Sequence, residues 1–259
     1  MDTVCLHDKV EIEKFLRKNP FLHIYSIGDL DDFFWPYTTW YGLIEDDEIQ
    51  EIALLYSGLS LPTLIAFSEG TSTYMQDLLA SIILLLPRRF YAHLSPGLEK
   101  VLSRYFTLQS QGRHYKMALK NKAILKNVNV SDVEQLSIKD LNDLLGLYEE
   151  SYPDNWFNPQ ILETNLYFGI RRLEGVVSVA GVHVISKKYK VAALGNITTH
   201  PGWRGKGFGK AVSAKLCQTL LPIANHIGLN VKANNKAAIA CYKKLGFEII
   251  STYDEYVIE

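Results

Sequence analysis

The stretch that most constrains the fold is VAALGNITTHPGWRGKGFGK, residues 191–210. It opens with an apolar, β-branched run, Val191–Thr199, which predicts a buried strand that ends at Pro201. A helix is predicted from Lys210 to Leu221, because apolar residues recur there at four-residue spacing and Pro222 follows. The recurring residues are Val212, Leu216 and Leu220. The pattern is therefore a strand, a short connection and a helix.

The connection carries three glycines at alternate positions, in Arg204-Gly205-Lys206-Gly207-Phe208-Gly209. Glycine allows the backbone conformations that turn successive N–H groups toward one point. The N-terminus of the following helix adds a partial positive charge. The segment therefore predicts an anion site, and a pyrophosphate is the anion that suits it best.

Three phosphate-binding loops can be compared with this segment. A Walker A loop requires Ser or Thr after Gly-Lys, and here Ala211 follows Gly209-Lys210. A Rossmann turn requires an acidic residue about 20 positions later, whereas the first acid after this loop is Glu248. The remaining pattern is R-x-x-G-x-G, which resembles the coenzyme A loop of the GNAT N-acetyltransferase superfamily.

A second motif strengthens the resemblance. After a predicted short strand, Leu229–Val231, comes NKAAIACYKKLGF, residues 235–247, which is similar to the family segment N-x-x-A-I-x-x-Y-x-K-L-G-F. One face of the predicted helix carries Ala238, Cys241, Tyr242 and Leu245. Gly246 is expected at the C′ position. The resemblance covers about Lys126–Glu259 and is closest to the two-domain group that includes glycine N-acyltransferases.

The resemblance implies an α+β fold of tandem acetyltransferase-like mixed sheets flanked by helices, with a degenerate N-terminal copy. The expected domains are 1–122 and 126–259, joined in the polar connection Asn121–Asn129. In the N-terminal half, Ser68-Glu69-Gly70-Thr71 stands where a coenzyme loop is expected, with a single glycine and no R-x-x-G-x-G. The prediction is that this half does not bind coenzyme and covers the acceptor side.

The resemblance also implies a site that uses acetyl-CoA as cosubstrate. Main-chain groups of three strand residues would bind the pantetheine arm and polarise the thioester carbonyl: Ile197, Thr198 and Thr199. Loop amides would bind the pyrophosphate, those of Arg204, Gly205, Lys206, Gly207, Phe208 and Gly209, with Lys210 beside them. Asn235 would hold the arm from the other side. Tyr242 would be the general acid, since an unperturbed tyrosine has a pKa of about 10 and keeps its proton at neutral pH; by periodicity alone it is a half-buried helix aromatic.

The general base is where the sequence departs from many relatives. A glutamate often stands on the strand where this chain has Asn196, and no Asp or Glu occurs between Gly175 and Phe247. His183 is one candidate, because histidine titrates near neutral pH. A purely structural strand histidine, with the amine losing its proton through water, is the other. His200 is expected to be a loop contact.

Charge is distributed unevenly along a chain whose formal net charge is −1. Residues 175–247 contain eleven Lys or Arg and no acid, which leaves 16 basic and 28 acidic residues elsewhere. A polyanionic ligand is therefore expected on the C-terminal half. A nucleic acid is disfavoured, because the basic residues are not interleaved with aromatic residues as on a nucleic-acid face.

Two aromatic regions are candidates for the acceptor side. Phe33–Tyr37 with Trp40 and Tyr41 could line a pocket, although a hydrophobic contact between the two halves explains them better. The segment Ser151–Phe157 contains Tyr152, Asp154, Trp156 and Phe157, and in the family this region borders the acceptor site.

The location and partners follow from composition. The three cysteines lack metal-ligand spacing and indicate a reducing, cytoplasmic setting, and no metal site is expected. Met1–Pro20 lacks the apolar core of a signal peptide, and the most apolar run, Leu78–Leu86, is too short to span a bilayer. The expected partner is a small-molecule amine acceptor, with no membrane or nucleic acid, and the chain is expected to be a monomer or homodimer.

Two functions are consistent with these features. The first is an N-acyltransferase that transfers an acetyl group from acetyl-CoA to a primary amine of a small molecule or amino-acid-like acceptor by direct attack. The second is a non-catalytic acyl-CoA-binding regulatory module. Asn235 and Tyr242 favour the enzyme.

Overall fold

The structure is a computed structural model that describes residues 1–70, 72–153, 155, 157–173 and 175–259. The chain forms two compact units. The first unit comprises Met1–Lys116, Val231–Asn234 and Ile249–Glu259, and the second comprises Met117–Asn230 and Asn235–Glu248. The domain limits 1–122 and 126–259 stay a prediction; the compact units are a division by contacts, and they assign Ile249–Glu259 to the first unit.

The first unit is a mixed sheet with helices. Its strands are β1 (Asp2–Leu6), β2 (Thr38–Glu45), β3 (Glu48–Tyr56), β4 (Thr63–Ala66), β5 (Phe90–Leu94) and most of β6 (Leu108–Leu119) and β12 (Phe247–Ile258). Its helices are α1 (Lys9–Leu16), α2 (Ile24–Gly28), α3 (Thr73–Ser81) and α4 (Glu99–Leu102). The strand order is β1-β2-β3-β4-β5-β12-β6, in which β4 and β5 are parallel and the other registered pairs are antiparallel.

A tight hairpin joins β2 and β3. Glu45 pairs with Glu48, which leaves a two-residue loop of Asp46 and Asp47. Both loop residues adopt the left-handed conformation, with φ of 51° and 61°. Two left-handed residues are the signature of a type I′ turn, whose twist matches that of the flanking strands.

The hydrophobic core of the first unit lies between this sheet and helices α3 and α4. The N-cap of α3 is Ser72, whose Oγ accepts a hydrogen bond from the Met75 amide at 3.2 Å. Met75, Leu78 and Leu79 of α3 are fully buried. The helix ends at Ser81, within the apolar run Leu78–Leu86, and a 3₁₀ turn at Ile83–Leu85 follows it.

The second unit has the same kind of sheet. Its strands are β7 (Glu134–Gln135), β8 (Tyr167–Arg172), β9 (Gly175–Ser186), β10 (Val191–Thr199) and β11 (His226–Lys232), in the spatial order β11-β10-β9-β8-β7. Its helices are α5 (Leu141–Ser151), α6 (Phe208–Leu220) and α7 (Lys236–Lys243). β10 pairs antiparallel with β9 and parallel with β11. The expected α+β class, mixed sheets flanked by helices, is confirmed.

Two helices of the second unit begin where their local sequence favours a helix start. A capping box at Ser137 and Asp140 precedes α5, with Asp140 Oδ2 accepting the Ser137 amide at 2.8 Å. Helix α6 begins at Phe208, two residues before the predicted start, and buries the apolar face that its periodicity predicted. The buried residues of that face include Val212, Leu216 and Leu220.

The connection Asn121–Asn129 is more ordered than its polar composition indicates. Lys122–Asn127 forms a 3₁₀ helix, and Leu125 is fully buried. The Gln218 side chain of α6 donates a hydrogen bond to the Leu125 carbonyl at 2.8 Å. Leu125 therefore anchors this segment to the second unit, which a composition-based analysis does not detect.

Among the residues that the structure describes, no helix combines the length and apolar character needed to cross a membrane.

Candidate active site

The site is built around the end of β10. The parallel ladder between β10 and β11 runs from Val191 to Leu194 on β10 and ends at Leu229 on β11. Gly195–Thr199 continues beyond that ladder. In this part of β10 the antiparallel register with β9 shifts between Gly195 and Thr198, which is a β-bulge. The bulge contains Asn196 with φ of 52°, a left-handed conformation that asparagine tolerates better than most residues.

The loop after β10 has the backbone that the sequence predicted. Pro201–Trp203 forms a 3₁₀ turn, and Gly205 and Gly207 have φ of 78° and 85°. A Cβ atom placed on either glycine would meet no heavy atom within 4 Å, so the backbone faces open space. Gly207 is the N-cap of α6 and has no side chain to accept hydrogen bonds from the first-turn amides. Those amides are therefore directed at any anion that binds there.

The loop is held in place by side chains that the motif alone does not specify. Arg204 Nε donates a hydrogen bond to the Thr199 carbonyl at 3.1 Å. The rings of Trp203 and Phe208 stack with centroids 5.9 Å apart. Lys206 Nζ lies 4.0 Å from the Trp203 ring centroid, and the Arg172 guanidinium lies 4.8 Å from that of Phe208. Sequence reasoning missed Arg172, because the end of β8 carries no signal of contact with a loop more than 30 residues later.

The strand residues predicted to bind the pantetheine arm lie together on β10. Thr199 Oγ1 and Ser178 Oγ are 2.8 Å apart, and Thr198 Oγ1 donates to Ser151 Oγ at 3.0 Å. Ile197 is partly exposed, whereas Thr198 is buried. The threonine side chains are thus engaged within the unit, and only main-chain groups of these residues are candidates for binding a ligand.

Asn196, which stands where relatives often have glutamate, is fixed by two tyrosines. Its side-chain Nδ2 donates to the Tyr167 hydroxyl at 2.9 Å, and its carbonyl accepts from the Tyr148 hydroxyl at 2.9 Å. Burial raises the pKa of Tyr167 to about 12 and that of Tyr148 well above 10. Both tyrosines are therefore protonated donors at neutral pH. Sequence reasoning placed Tyr148 on an amphipathic helix and did not connect either tyrosine with the site.

His183 lies on β9 beside the bulge. Its Cβ would be 2.6 Å from a Cβ on Gly195, so the absence of a side chain at Gly195 gives the histidine its space. Desolvation lowers the pKa of the imidazole. The lowered pKa keeps the ring neutral at pH 7, the state that a general base requires.

Helix α7 carries the second motif. Asn235 is its N-cap, with Oδ1 accepting the Ala238 amide at 3.1 Å. Tyr242 is buried, and its ring centroid lies 6.0 Å from that of Phe247. The helix ends at Lys243 with Lys244 as its cap, so Gly246 lies at C″ and not at the predicted C′. Its φ is 91°, and a Cβ there would be 2.2 Å from the Asn121 carbonyl oxygen, so only glycine fits.

The expected basic surroundings are present near α7. Burial raises the pKa of the Cys241 thiol, and the nearby charges of Lys210 and Lys244 act in the opposite direction. Two cations thus lie close to the face of α7 that carries Tyr242. His200 makes the expected loop contact, with Nδ1 accepting the Gly202 amide at 3.2 Å.

Some residues of the expected features lie outside the described part of the chain. Asp154 and Trp156 of the expected acceptor-side segment and Thr71 of the N-terminal loop are outside the described part of the chain. Within the described part, no three His, Cys, Asp or Glu side chains are grouped to hold a metal ion.

The comparisons with known proteins agree with this geometry. Residues 133–247 match the family model described as Acetyltransferase (GNAT) family. An uncharacterized protein of Mycobacterium leprae is 34% identical over 98 residues, which cover 36% of this chain and 25% of that protein. The match thus spans about a quarter of the length of that relative.

Two solved structures show that the fold extends over both units. A Drosophila protein is 13% identical with a TM-score of 0.72, covering 99% of this chain and 98% of its own. A tandem GNAT protein from the clavulanic acid biosynthesis pathway is 11% identical with a TM-score of 0.58, covering 99% of this chain and 97% of its own. The matched segment 133–247 contains the glycine loop, β10 and α7, and this segment belongs to the GNAT acetyltransferase family.

Proposed function

We propose that the second unit is an acyl-CoA-dependent N-acyltransferase that transfers acetyl from acetyl-CoA to a primary amine of a small molecule or amino-acid-like acceptor by direct attack. One observation carries the proposal. The loop Arg204–Gly209 has two left-handed glycines whose backbone faces open space. The loop follows the bulged end of β10 and leads into the N-terminus of α6, where no side chain caps the first-turn amides.

These residues fit coenzyme A. A pyrophosphate requires close approach to several amides, and a side chain at Gly205 or Gly207 would stand in that approach. The eleven basic residues of 175–247, with no acid among them, match a ligand that carries several negative charges. The end of β10 beyond Leu194 supplies main-chain groups for the amides of a pantetheine arm.

Bound acetyl-CoA would supply the acetyl group as a thioester. The chain's own residues would polarise the thioester carbonyl and donate a proton to the departing sulfur. We assign the polarisation of the carbonyl to main-chain amides of the bulged segment Ile197–Thr199. We assign to the Tyr242 hydroxyl the donation of its proton to the departing sulfur. The Tyr148 and Tyr167 hydroxyls hold Asn196 and thereby the bulge, so they are positioning residues.

The acceptor amine must be neutral when it attacks, and two routes would remove its proton. His183 is one, because its lowered pKa keeps the imidazole unprotonated at neutral pH. Direct loss to water is the other. Asn196 is not a third, because an amide side chain accepts no proton near neutral pH and this one is bonded to Tyr167.

The test is a screen of amino acids and small primary amines with acetyl-CoA, in which release of free thiol is followed. We expect amine-dependent release that is lost in Tyr242→Phe, with acetyl-CoA binding measured separately by calorimetry. Binding without turnover on any amine would support the alternative of a non-catalytic acyl-CoA-binding regulatory module. Failure to bind acetyl-CoA would contradict both functions.

A further inference from the structure

A cavity lies in the first unit, at the carboxyl ends of the parallel strands β4 and β5. Its volume is about 270 Å³, and six residues of the first unit line it: Ser68, Gly70, Ser95, Pro96, Ser251 and Thr252. In sheets with parallel strands, ligands bind in the crevice outside the carboxyl ends of those strands. The position of this cavity is therefore that of a binding site, independent of the loop in the second unit.

The lining is polar and uncharged. Among the described residues that line the cavity, four carry hydroxyl groups and none carries a formal charge. The adjacent carboxylate belongs to Glu69, which accepts a hydrogen bond from the Asn19 side chain and is not part of the lining. A charged ligand would lose its hydration here without an opposite charge to replace it, so the lining favours a neutral one.

One lining hydroxyl is buried and has no hydrogen-bond partner. Ser68 is 7% exposed, and its Oγ makes no hydrogen bond within the described residues. The neighbouring Ser95 Oγ is engaged, since it accepts the Ser68 amide at 3.1 Å and donates to the Ser68 carbonyl at 3.3 Å. Burying a hydroxyl without a partner costs about 1–3 kcal/mol. The Oγ is closed to solvent in this rotamer, so rotation about the Ser68 Cα–Cβ bond would present its unused donor and acceptor to the cavity.

From this cavity we propose that the first unit binds a small uncharged molecule through a hydrogen bond between its carbonyl or hydroxyl group and Ser68 Oγ. The volume equals that of about nine waters, which suits a ligand of about eight non-hydrogen atoms. Gly70, with φ of 69°, has no heavy atom within 4 Å of an added Cβ, so no side chain fills the cavity at this position.

The probe pair is N-acetylglycinamide and N-acetylglycinate, which have the same size and shape and differ in charge. Each is titrated at millimolar concentration into the full chain, and backbone amide shifts are followed by NMR. We expect N-acetylglycinamide to cause saturable shifts at Ser95 and Ser251 and N-acetylglycinate to bind more weakly. No saturable shift with the amide, or equal or tighter binding of the carboxylate, overturns the proposal without any variant.

Variants then test the role of the hydroxyl. Ser68→Ala should weaken the binding of N-acetylglycinamide about 2- to 10-fold, the effect of one neutral hydrogen bond. Ser103→Ala is the matched control, because its exposed hydroxyl donates to the Lys100 carbonyl away from the cavity. Unchanged affinity in a folded Ser68→Ala variant overturns the assignment to Ser68, as does an equal loss in Ser103→Ala.

Discussion

The two units carry the same pair of parallel strands, and the two pairs end differently. In the second unit, β10 bulges at Asn196 beyond its last pair with β11. In the first unit, the ladder runs to Ala66 and Leu94, the Ser95 amide donates to the Ala66 carbonyl at 3.0 Å, and Ser95 Oγ bonds to both main-chain groups of Ser68. The end of β10 beyond Leu194 is therefore not paired with β11, whereas β4 and β5 stay joined by hydrogen bonds beyond their last ladder pair.

The helix that follows each pair differs in the same way. α6 begins after two left-handed glycines and has a glycine cap, so its first amides face outward. α3 begins at Ser72, whose hydroxyl accepts an amide of the first turn and bonds to the Glu51 carboxyl from β3. Burial raises the pKa of Glu51 to about 7. The first unit thus places its own acid where the second has room for an anion, which supports one coenzyme site per chain.

The largest expected effect concerns the second unit alone. Tyr242→Phe removes only a hydroxyl from a buried ring, so packing and acetyl-CoA affinity should change little. General acid assistance is worth about 10²- to 10⁴-fold, or roughly 3–5 kcal/mol. We therefore expect that loss in kcat, on an amine for which chemistry limits the rate. If Tyr242→Phe kept nearly the kcat of the wild type, Tyr242 would not be the proton donor, and the role would be assigned to water.

The next effect compares the two loops directly. Gly207→Val places a β-branched residue at φ of 85° and a side chain in the expected path of the pyrophosphate. Backbone strain of this kind costs about 1–3 kcal/mol, so acetyl-CoA should bind roughly 10- to 100-fold more weakly.

Gly70→Val is the matched control in the first unit, since Gly70 has φ of 69° and is equally clear of neighbours. Calorimetry with acetyl-CoA should show its affinity unchanged. Equal losses in the two variants would mean that strain alone, and not the site, explains the result. Unchanged acetyl-CoA affinity in a folded Gly207→Val variant would show that this loop does not bind the pyrophosphate.

The sequence predicted the second unit better than the first because the loop and α7 are specified by local residue types. Gly205, Gly207 and Gly246 all adopt the left-handed backbone that makes glycine necessary. The contacts of Tyr148 and Tyr167 with Asn196 depend on three elements that are distant in sequence, and no local pattern encodes them. For the same reason the partners of a residue such as Arg172 become visible only in the folded chain.

In the first unit, sequence reasoning missed two short elements and the burial of a charged residue. β1 and α2 were missed because each is five residues long, too short for a periodic pattern. Lys116 stands in a strand that was predicted, yet its charge gives no indication that it is only 3% exposed. Its ammonium lies 4.0 Å from the Phe67 ring centroid, and such aromatic partners are known only from the tertiary structure.

A third prediction uses this lysine. Burial lowers the pKa of Lys116 from 10.5 to about 7, against the opposing charge of Glu255. Between these values the unfolded chain binds the proton and the native state does not, so Lys116 makes stability rise with pH. Between pH 7 and 9 its contribution to the slope is up to about 1.4 kcal/mol per pH unit.

Lys116→Met should remove that slope from the free energy of unfolding, measured with urea across this range, and should stabilise the protein at pH 7. Lys100→Met is the control, because Lys100 is exposed on α4. The acetyl-CoA affinity should be the same in both variants. An unaltered pH slope in Lys116→Met would show that the lysine is charged in the native state.

The smallest effect tests whether the hydrogen bonds between the ends of β4 and β5 are what prevents the first unit from binding coenzyme. We expect calorimetry to give one acetyl-CoA per chain for the wild type. Ser95→Ala removes the hydroxyl that joins β4 to β5, which should cost about 1 kcal/mol of stability. The stoichiometry should still be one, because Ser68–Gly70 offers a single glycine and Glu51 occupies the approach to Ser72. A second acetyl-CoA site in Ser95→Ala would mean that the Ser95 hydrogen bonds alone prevent coenzyme binding in the first unit. Two sites in the wild type would contradict the difference between the units.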